Sequence, residues 1–243
     1  PVADIDGEGS EFTLKAGQLL ESVKRVSYAI PQQGGNATMS TMCLQAKDGQ
    51  LNFVGLDGHV LAWDKIDYDG EFELLIPKNT IDKLKTLGLT GEVRIRHSNA
   101  MAIFATDDFE ICTRLVQGEY YKYQNMFKEL PLHTVISRKE LLDAMVRAKM
   151  CTAEKCPVKF EIAGSQLGLS IKDQTTDYHE TVDLQENISE ELTIGFDARL
   201  VIETLKAFDC DNVGISLQSP KMPMIIEAED SDFKTIVLPV AIK

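Results

Sequence analysis

The feature that most constrains this chain is that it contains one pattern twice. Phe12-Thr13-Leu14-Lys15-Ala16-Gly17-Gln18-Leu19-Leu20-Glu21-Ser22-Val23-Lys24-Arg25 runs parallel to Val135-Ile136-Ser137-Arg138-Lys139-Glu140-Leu141-Leu142-Asp143-Ala144-Met145-Val146-Arg147. Leu19, Leu20, Val23 and Arg25 meet Leu141, Leu142, Met145 and Arg147 at one offset of 122 residues. Further on, a strand, a short helix and a closing pair of strands between Phe72 and Leu115 resemble Leu192 to Val240 at a similar spacing. A period this long is no solenoid unit and reads as two copies of one domain. The 243 residues suit two domains of ordinary size. The join is placed at Glu129-Leu130-Pro131, giving domains 1–130 and 131–243.

Within each copy the hydrophobic period switches between the helical and the strand repeat. Leu19, Leu20, Val23 and Ile30 sit at helical spacing, whereas Met39 to Leu44, Leu51 to Leu56, Glu92 to Ile95 and Phe109 to Val116 read as short strands. Ser137-x-x-Glu140 ahead of Leu141 has the form of a capping box. Pro77 before Ile81 and Leu84, with Gly88 beyond, brackets a second short helix. Asp197 is placed to cap a helix carrying Leu200, Val201 and Leu205. Each copy is therefore predicted to be α+β, an antiparallel sheet with two helices on one face.

Charge decides which partners are open to such a chain. With 25 Lys+Arg against 38 Asp+Glu the net charge is −13, which excludes a protein that grips nucleic acid by bulk positive charge. The charge is unevenly spread, however. The helical windows 13–30, 78–87, 137–150 and 197–208 hold 12 basic and 6 acidic residues, leaving 13 and 32 for everything else. Gln18, Ser22 and Arg25, and Arg199 with Lys206, form polar stripes without large side chains that would read bases, suited to phosphates irrespective of sequence. A merely solvated helix face would carry the same charges. Asp173 to Glu191 contains seven acids and no Lys or Arg, and reads as a solvent-facing strand and loop able to repel DNA from an outer surface.

Neither a membrane span nor a secretory signal is expected, because no window approaches 18 consecutive apolar residues and Pro1-Val2-Ala3-Asp4 lacks a basic stretch followed by an apolar one. A chain opening on Pro1 is expected to be an excised fragment or a processed product. Cys43, Cys112, Cys151, Cys156 and Cys210 are odd in number and lie in apolar sequence, which predicts buried thiols in a reducing cytoplasm. Cys151 and Cys156 lack a second ligand pair for zinc. Asp57-Gly58-His59 sets a carboxylate and an imidazole two residues apart, but Asp-Gly is first of all a turn signal. No phosphate loop, G-x-S-x-G elbow or H-E-x-x-H accompanies it, and His97, His133 and His179 are scattered. No catalytic residue, metal site or cofactor is expected.

What stands out instead is apolar. Ile236-Val237-Leu238-Pro239-Val240-Ala241-Ile242 is a continuous hydrophobic tail, and Pro239 cannot donate to a central ladder, so the tail must run at an edge or leave its sheet. Exposed apolar surface of this kind marks a binding groove or a surface for self-assembly. Tyr120, Tyr121, Tyr123, Met126 and Phe127 suit docking and inter-domain packing equally.

Several spaced segments together resemble one family over essentially the whole chain, the bacterial DNA polymerase III beta sliding clamp. They are Val54-Gly55-Leu56-Asp57-Gly58-His59-Val60-Leu61-Ala62, Arg114-Leu115-Val116-Gln117-Gly118-Glu119-Tyr120 through Tyr123, Gly195-Phe196-Asp197-Ala198-Arg199-Leu200, and Val237-Leu238-Pro239-Val240. The resemblance implies a DNA-clamp fold of which these are the second and third of three similar domains. It also implies a non-catalytic, cytoplasmic, nucleoid-associated processivity factor that encircles duplex DNA without sequence specificity. The helix cations Lys15, Lys24, Arg25, Lys78, Lys83, Arg138, Lys139, Arg147, Lys149, Arg199 and Lys206 would face the DNA.

The implied partners are the replicative polymerase, the clamp loader and repair polymerases, docking through a motif like Gln-Leu-x-Leu-Phe. Matched residue by residue, the pocket between the two domains would comprise Met39, Leu56, Gly58, His59, Val60, Leu61, Tyr121, Asn125, Met126, Leu200, Pro223, Val237, Leu238, Pro239, Val240 and Ala241. Leu56 stands where the family has Thr, Val60 where it has Arg, Tyr121-Lys122-Tyr123 where it has Pro-Asp-Tyr, and Val240-Ala241-Ile242 where it has Met-Arg-Leu. The losses of Arg predict a less polar rim. The family's homodimeric ring joins a first domain to a third, so this two-domain chain is expected not to close one. The alternative is a non-clamp repeat protein whose apolar tail mediates self-assembly.

Overall fold

The computed structural model describes residues 9–32, 36–151, 157–172 and 176–242. The described residues up to Gly58, with Ala62–Tyr121, form one compact unit; His59–Leu61 and the residues from Lys122 onward form a second. The join read from the sequence at Glu129-Leu130-Pro131 thus lies within the second unit.

In chain order the first unit contains β1 (Ser10–Lys15), α1 (Ala16–Ser27), β2 (Thr41–Lys47), β3 (Gln50–Leu56), β4 (Val60–Asp67) from Ala62 onward, β5 (Phe72–Pro77), α2 (Lys78–Thr86), β6 (Glu92–His97), β7 (Met101–Ala105) and β8 (Glu110–Arg114). One antiparallel sheet runs β1-β6-β7-β8 and another β4-β3-β2-β5. The helical window expected from residue 13 begins instead as strand. Phe12 and Leu14 are buried while Glu11, Thr13 and Lys15 are exposed, a two-residue period that pairs β1 with β6 before the helical period takes over at Ala16. Leu19, Val23 and Val26 then turn one stripe of α1 into the core, where Ile81 and Leu84 of α2 are equally inaccessible. α1 packs on α2 and on β1 and β3. Gly88 follows α2 with a φ of 59°, the left-handed residue expected there.

The second unit opens with a 3-10 turn (Tyr123–Met126) and continues with β9 (Leu132–Ser137), α3 (Arg138–Met150), β10 (Val158–Lys172), β11 (Asp177–Phe196), α4 (Ala198–Ala207), β12 (Asn212–Leu217), β13 (Met224–Ala228) and β14 (Lys234–Val237). Its strands lie in the order β10-β11-β9-β12-β13-β14. α3 and α4 pack side by side, with α3 over β9 to β12 and α4 against β14. Both expected caps form. The Ser137 hydroxyl accepts the Glu140 amide at 3.4 Å, and the Asp197 carboxylate accepts those of Arg199 and Leu200 at 2.8 and 3.4 Å. The acidic stretch lies largely on β11, whose Asp177, Asp183, Glu186, Glu190 and Glu191 are exposed while Val182, Leu184 and Ile188 face inward; Asp173 lies outside the described residues. No helix among the described residues is long and apolar enough to cross a membrane.

Candidate docking site and helix surface

The apolar tail emerges from a well-paired strand. β14 registers with β13, Ile225 against Ile236 and Met224 against Val237, and the ladder stops before Pro239, which has no N–H to continue it. Val237 is fully buried, whereas the next residue, Leu238, is 38% exposed. Its amide donates to the carbonyl of His59 at 2.8 Å, and the Val240 amide donates to the carbonyl of Gly195 at 2.9 Å. The tail is thus fastened at two backbone points while it leaves its sheet. Leu200, in the first turn of α4, is buried at 8% exposure on the helix that packs against β14.

The sequence-predicted pocket residues fall into two sets. Met39, Leu56, Gly58 and Tyr121 belong to the first unit, and the others to the second. In the first, Gly58 has a φ of 86°, completing the Asp57-Gly58 turn, and a Cβ there would stand 3.5 Å from the Met39 Cε. Leu56 is buried, and the hydroxyl of the half-buried Tyr121 accepts from Asn36 at 3.2 Å. In the second, His59, Asn125, Met126, Leu238 and Ala241 are exposed, Pro223, Pro239 and Val240 are half-buried, and Val60, Leu61 and Val237 present no surface. Val60 is 1% exposed, so its replacement of the family's Arg alters the interior and not the polarity of a rim, as the sequence reading had it. The aromatic run also divides. Tyr123 is buried, and Tyr120 is buried with its hydroxyl 3.5 Å from the Val54 carbonyl, so both serve packing. Met126 remains exposed, and the Lys234 ammonium lies over Phe127 at 4.9 Å.

The helix cations are not equivalent. Arg25 is turned inward between Glu21 at 2.6 Å and the buried Asp64 at 3.4 Å. Burial pushes the Asp64 carboxyl up despite the opposing pull of Ser22 and Arg25. Lys78 is buried against Asp82 at 2.5 Å, Arg138 donates through Nε to the Cys210 carbonyl at 2.6 Å, and Arg147 makes a two-pronged bond to Glu180. Lys206 bonds Glu203 at 3.1 Å. Lys149 is exposed. Lys15, Lys24, Lys83, Lys139 and Arg199 are exposed, and no ion pair reaches them among the described residues. Sequence counting could not separate these groups, because Asp64, which draws Arg25 inward, and Glu180, which engages Arg147, lie on β4 and β11.

His59 is exposed beside the Asp57-Gly58 turn, and among the described residues no group of three or more His, Cys, Asp or Glu is placed to hold a metal ion. The cysteines depart from expectation. Cys43 is buried, which raises its thiol pKa, but Cys112 and Cys151 are exposed and Cys210 is half-buried. Cys112 points outward from the alternating β8, and Cys151 is the exposed C-cap of α3, so apolar sequence neighbours did not mean burial. Cys156 lies outside the described residues.

Two family models match this chain in order: the DNA polymerase III beta subunit central domain over residues 13–122 and its C-terminal domain over residues 128–241. The chain belongs to the DNA polymerase III beta subunit family. The beta sliding clamp of Proteus mirabilis is 26% identical over 218 residues, covering 85% of this chain and 59% of that protein. That of Buchnera aphidicola is 22% identical over 238 residues, covering 94% and 64%. The chain therefore spans about three fifths of the length of these beta subunit relatives. A crystal structure of a sliding clamp (DNA polymerase III subunit beta) from Pseudomonas aeruginosa bound to griselimycin superposes with a TM-score of 0.92 at 23% identity, over 99% of this chain and 68% of that one. At this identity the likeness shows the beta subunit fold.

Proposed function

We propose that this chain is a sliding-clamp component, with no chemistry of its own, that faces duplex DNA with its helices and docks polymerase and repair partners through its apolar tail. The observation that carries the docking reading is the tail's geometry. Leu238 is exposed at the point where the chain leaves its sheet, yet its own amide and that of Val240 are held in fixed hydrogen bonds. A partner segment with apolar side chains would meet a preformed surface, and little ordering entropy would oppose its binding.

Support for the DNA-facing role is the placement of charge. α1 to α4 carry 11 basic and 5 acidic residues in a chain of net charge −13. Backbone phosphates would be met by the exposed Lys15, Lys24, Lys83, Lys139 and Arg199, while Arg25, Lys78, Arg138 and Arg147 are already engaged by groups of the chain itself. Such a surface slides, because it neutralises charge without contacting base edges. A cytoplasmic location follows from this role.

The deciding experiment is fluorescence anisotropy of a labelled Gln-Leu-x-Leu-Phe peptide titrated with this chain, for which a dissociation constant of order micromolar is expected. Leu238→Asp should abolish saturable binding while leaving the circular dichroism spectrum unchanged. Absence of binding by the folded parent chain would sink the docking reading. Association of the chain with itself, lost in the same variant, would put tail-mediated self-assembly in its place.

A further inference from the structure

The geometry points to Gly195 as a positioning residue for partner docking, the place where the C-terminal tail is seated so that Leu238 is presented. This inference rests on the docking reading above and names a residue which that reading did not include. Gly195 is the next-to-last residue of β11, paired with Lys159 of β10, and its carbonyl accepts the Val240 amide at 2.9 Å. A Cβ on Gly195 would stand 2.7 Å from the Ile242 Cγ1 and 2.8 Å from the Val240 carbonyl oxygen. Real Cβ atoms do not tolerate either distance, and one of the two neighbours is backbone, so no change of side-chain rotamer can relieve both. The demand for glycine here is spatial, since the residue sits in extended strand and its φ is not in the left-handed region.

The internal repeat supplies an independent comparison. In the first unit the second residue beyond β8 makes the matching bond, the Val116 amide donating to the Leu75 carbonyl at 3.0 Å. Leu75 and Gly195 occupy the same place in the two copies, each in the strand that leads into the shorter helix. The first copy fills that place with a buried leucine side chain. The second leaves it empty, and Ile242 from the tail closes over it. Deleting the side chain from β11 is therefore what lets the tail fold back across the strand, and the two bonds at Leu238 and Val240 then fix the direction in which Leu238 points.

The test is Gly195→Ala in the full 243-residue chain, read by amide hydrogen exchange and by the peptide titration together. The Val240 and Leu238 amides should exchange at least about tenfold faster, while amides in the β10–β11 ladder keep their protection. Peptide affinity should fall by about the same factor. Ile242→Ala placed on top of Gly195→Ala should restore part of the protection, because it removes the Cγ1 contact; a role confined to β10–β11 packing would show no such rescue. Gly168→Ala, where a Cβ would meet its nearest neighbours at an ordinary 3.5 Å, should change nothing. Unaltered exchange at Val240 in the Gly195→Ala chain overturns the proposal, as does unaltered peptide affinity when the parent chain binds. If the parent does not bind the peptide, the docking reading falls, and the exchange data still decide whether Gly195 seats the tail.

Discussion

The two copies share a hydrogen-bond frame and differ in what they hang on it. In the first, Lys15 registers with Glu92 and the next amide, that of Ala16, donates to Gly91 at 2.9 Å; in the second, Ser137 registers with Asn212 and the Arg138 amide donates to Asp211 at 2.9 Å. The first copy breaks its other sheet into four short strands, turning at Asp48 and Gly49 with φ of 52° and 76°. The second runs the same path as two long strands, β10 and β11, and absorbs the change of direction in register shifts around Gly164. Backbone pairing is thus the retained part. Side chains at matched places have diverged: Leu75 and Gly195, Lys15 and Ser137, His97 and Leu217.

If the frame is common, its central contacts should be worth the same in both copies. Leu19 and Leu141 are matched by the repeat and both are wholly buried. Leu19→Ala and Leu141→Ala should each cost about 2–5 kcal/mol, through lost transfer free energy and the cavity left behind. Urea unfolding followed by hydrogen exchange should assign each loss to its own unit. A cost confined to one of the two would break the comparison, for it would mean that only one copy depends on its first helix.

How much of this was legible depended on whether the signal was local. The starts of α3 and α4 could be read from Ser137 and Asp197, and the tail's exit from Pro239, because in each case a side chain or a missing N–H acts on backbone within a few residues. β1 was lost to a helical window because only Phe12 and Leu14 announce it. β11 went largely unread because its polar face carries most of its residues, and the few inward ones are separated by acids. At the site, Val60 reads from the resemblance as a rim residue, yet it opens β4 in a run of three buried residues, Val60, Leu61 and Ala62, that has no two-residue period to reveal it. Gly195 announces nothing locally: its role arises from residues that return to it after α4, β12, β13 and β14. No local period carries that information.

A smaller effect separates the copies at their helix starts. Ser137 caps α3 through its hydroxyl, whereas Lys15, at the same place before α1, makes no side-chain cap bond. Ser137→Ala should cost about 1 kcal/mol by leaving the Glu140 amide without its acceptor. Lys15→Ser should stabilise α1 by up to about that amount, since Lys15 already has the extended backbone of a capping residue, with φ −64° and ψ 132°. Thermal unfolding of both variants measures the pair. A Lys15→Ser chain no more stable than the parent would show that the Ala16–Gly91 bond already does the work of the cap.

The smallest expected effect is confined to a pH window and to one copy. His97 is 8% exposed, its ring lies 4.6 Å from that of Phe72 and 6.0 Å from that of Phe12, and its Nε2 has no hydrogen-bond partner among the described residues. Burial holds its pKa below the ordinary imidazole value, because the charged form would lose its water in an aromatic setting. The unfolded chain, with a pKa of about 6.5, then binds the proton more readily than the folded one. Stability contributed by the neutral ring is complete above that pH, declines as the pH falls through it, and levels off below the folded-state value. The matched place in the second copy is Leu217, which is also buried and does not titrate. Comparing urea midpoints at pH 7.5 and 5.5, the parent should weaken on acidification and His97→Leu should weaken less, with the difference appearing in exchange from β6 and β1 and not from β12 and β9. Equal acid sensitivity in parent and variant would mean that His97 is hydrated in solution, and that the two copies bury this place to different depths.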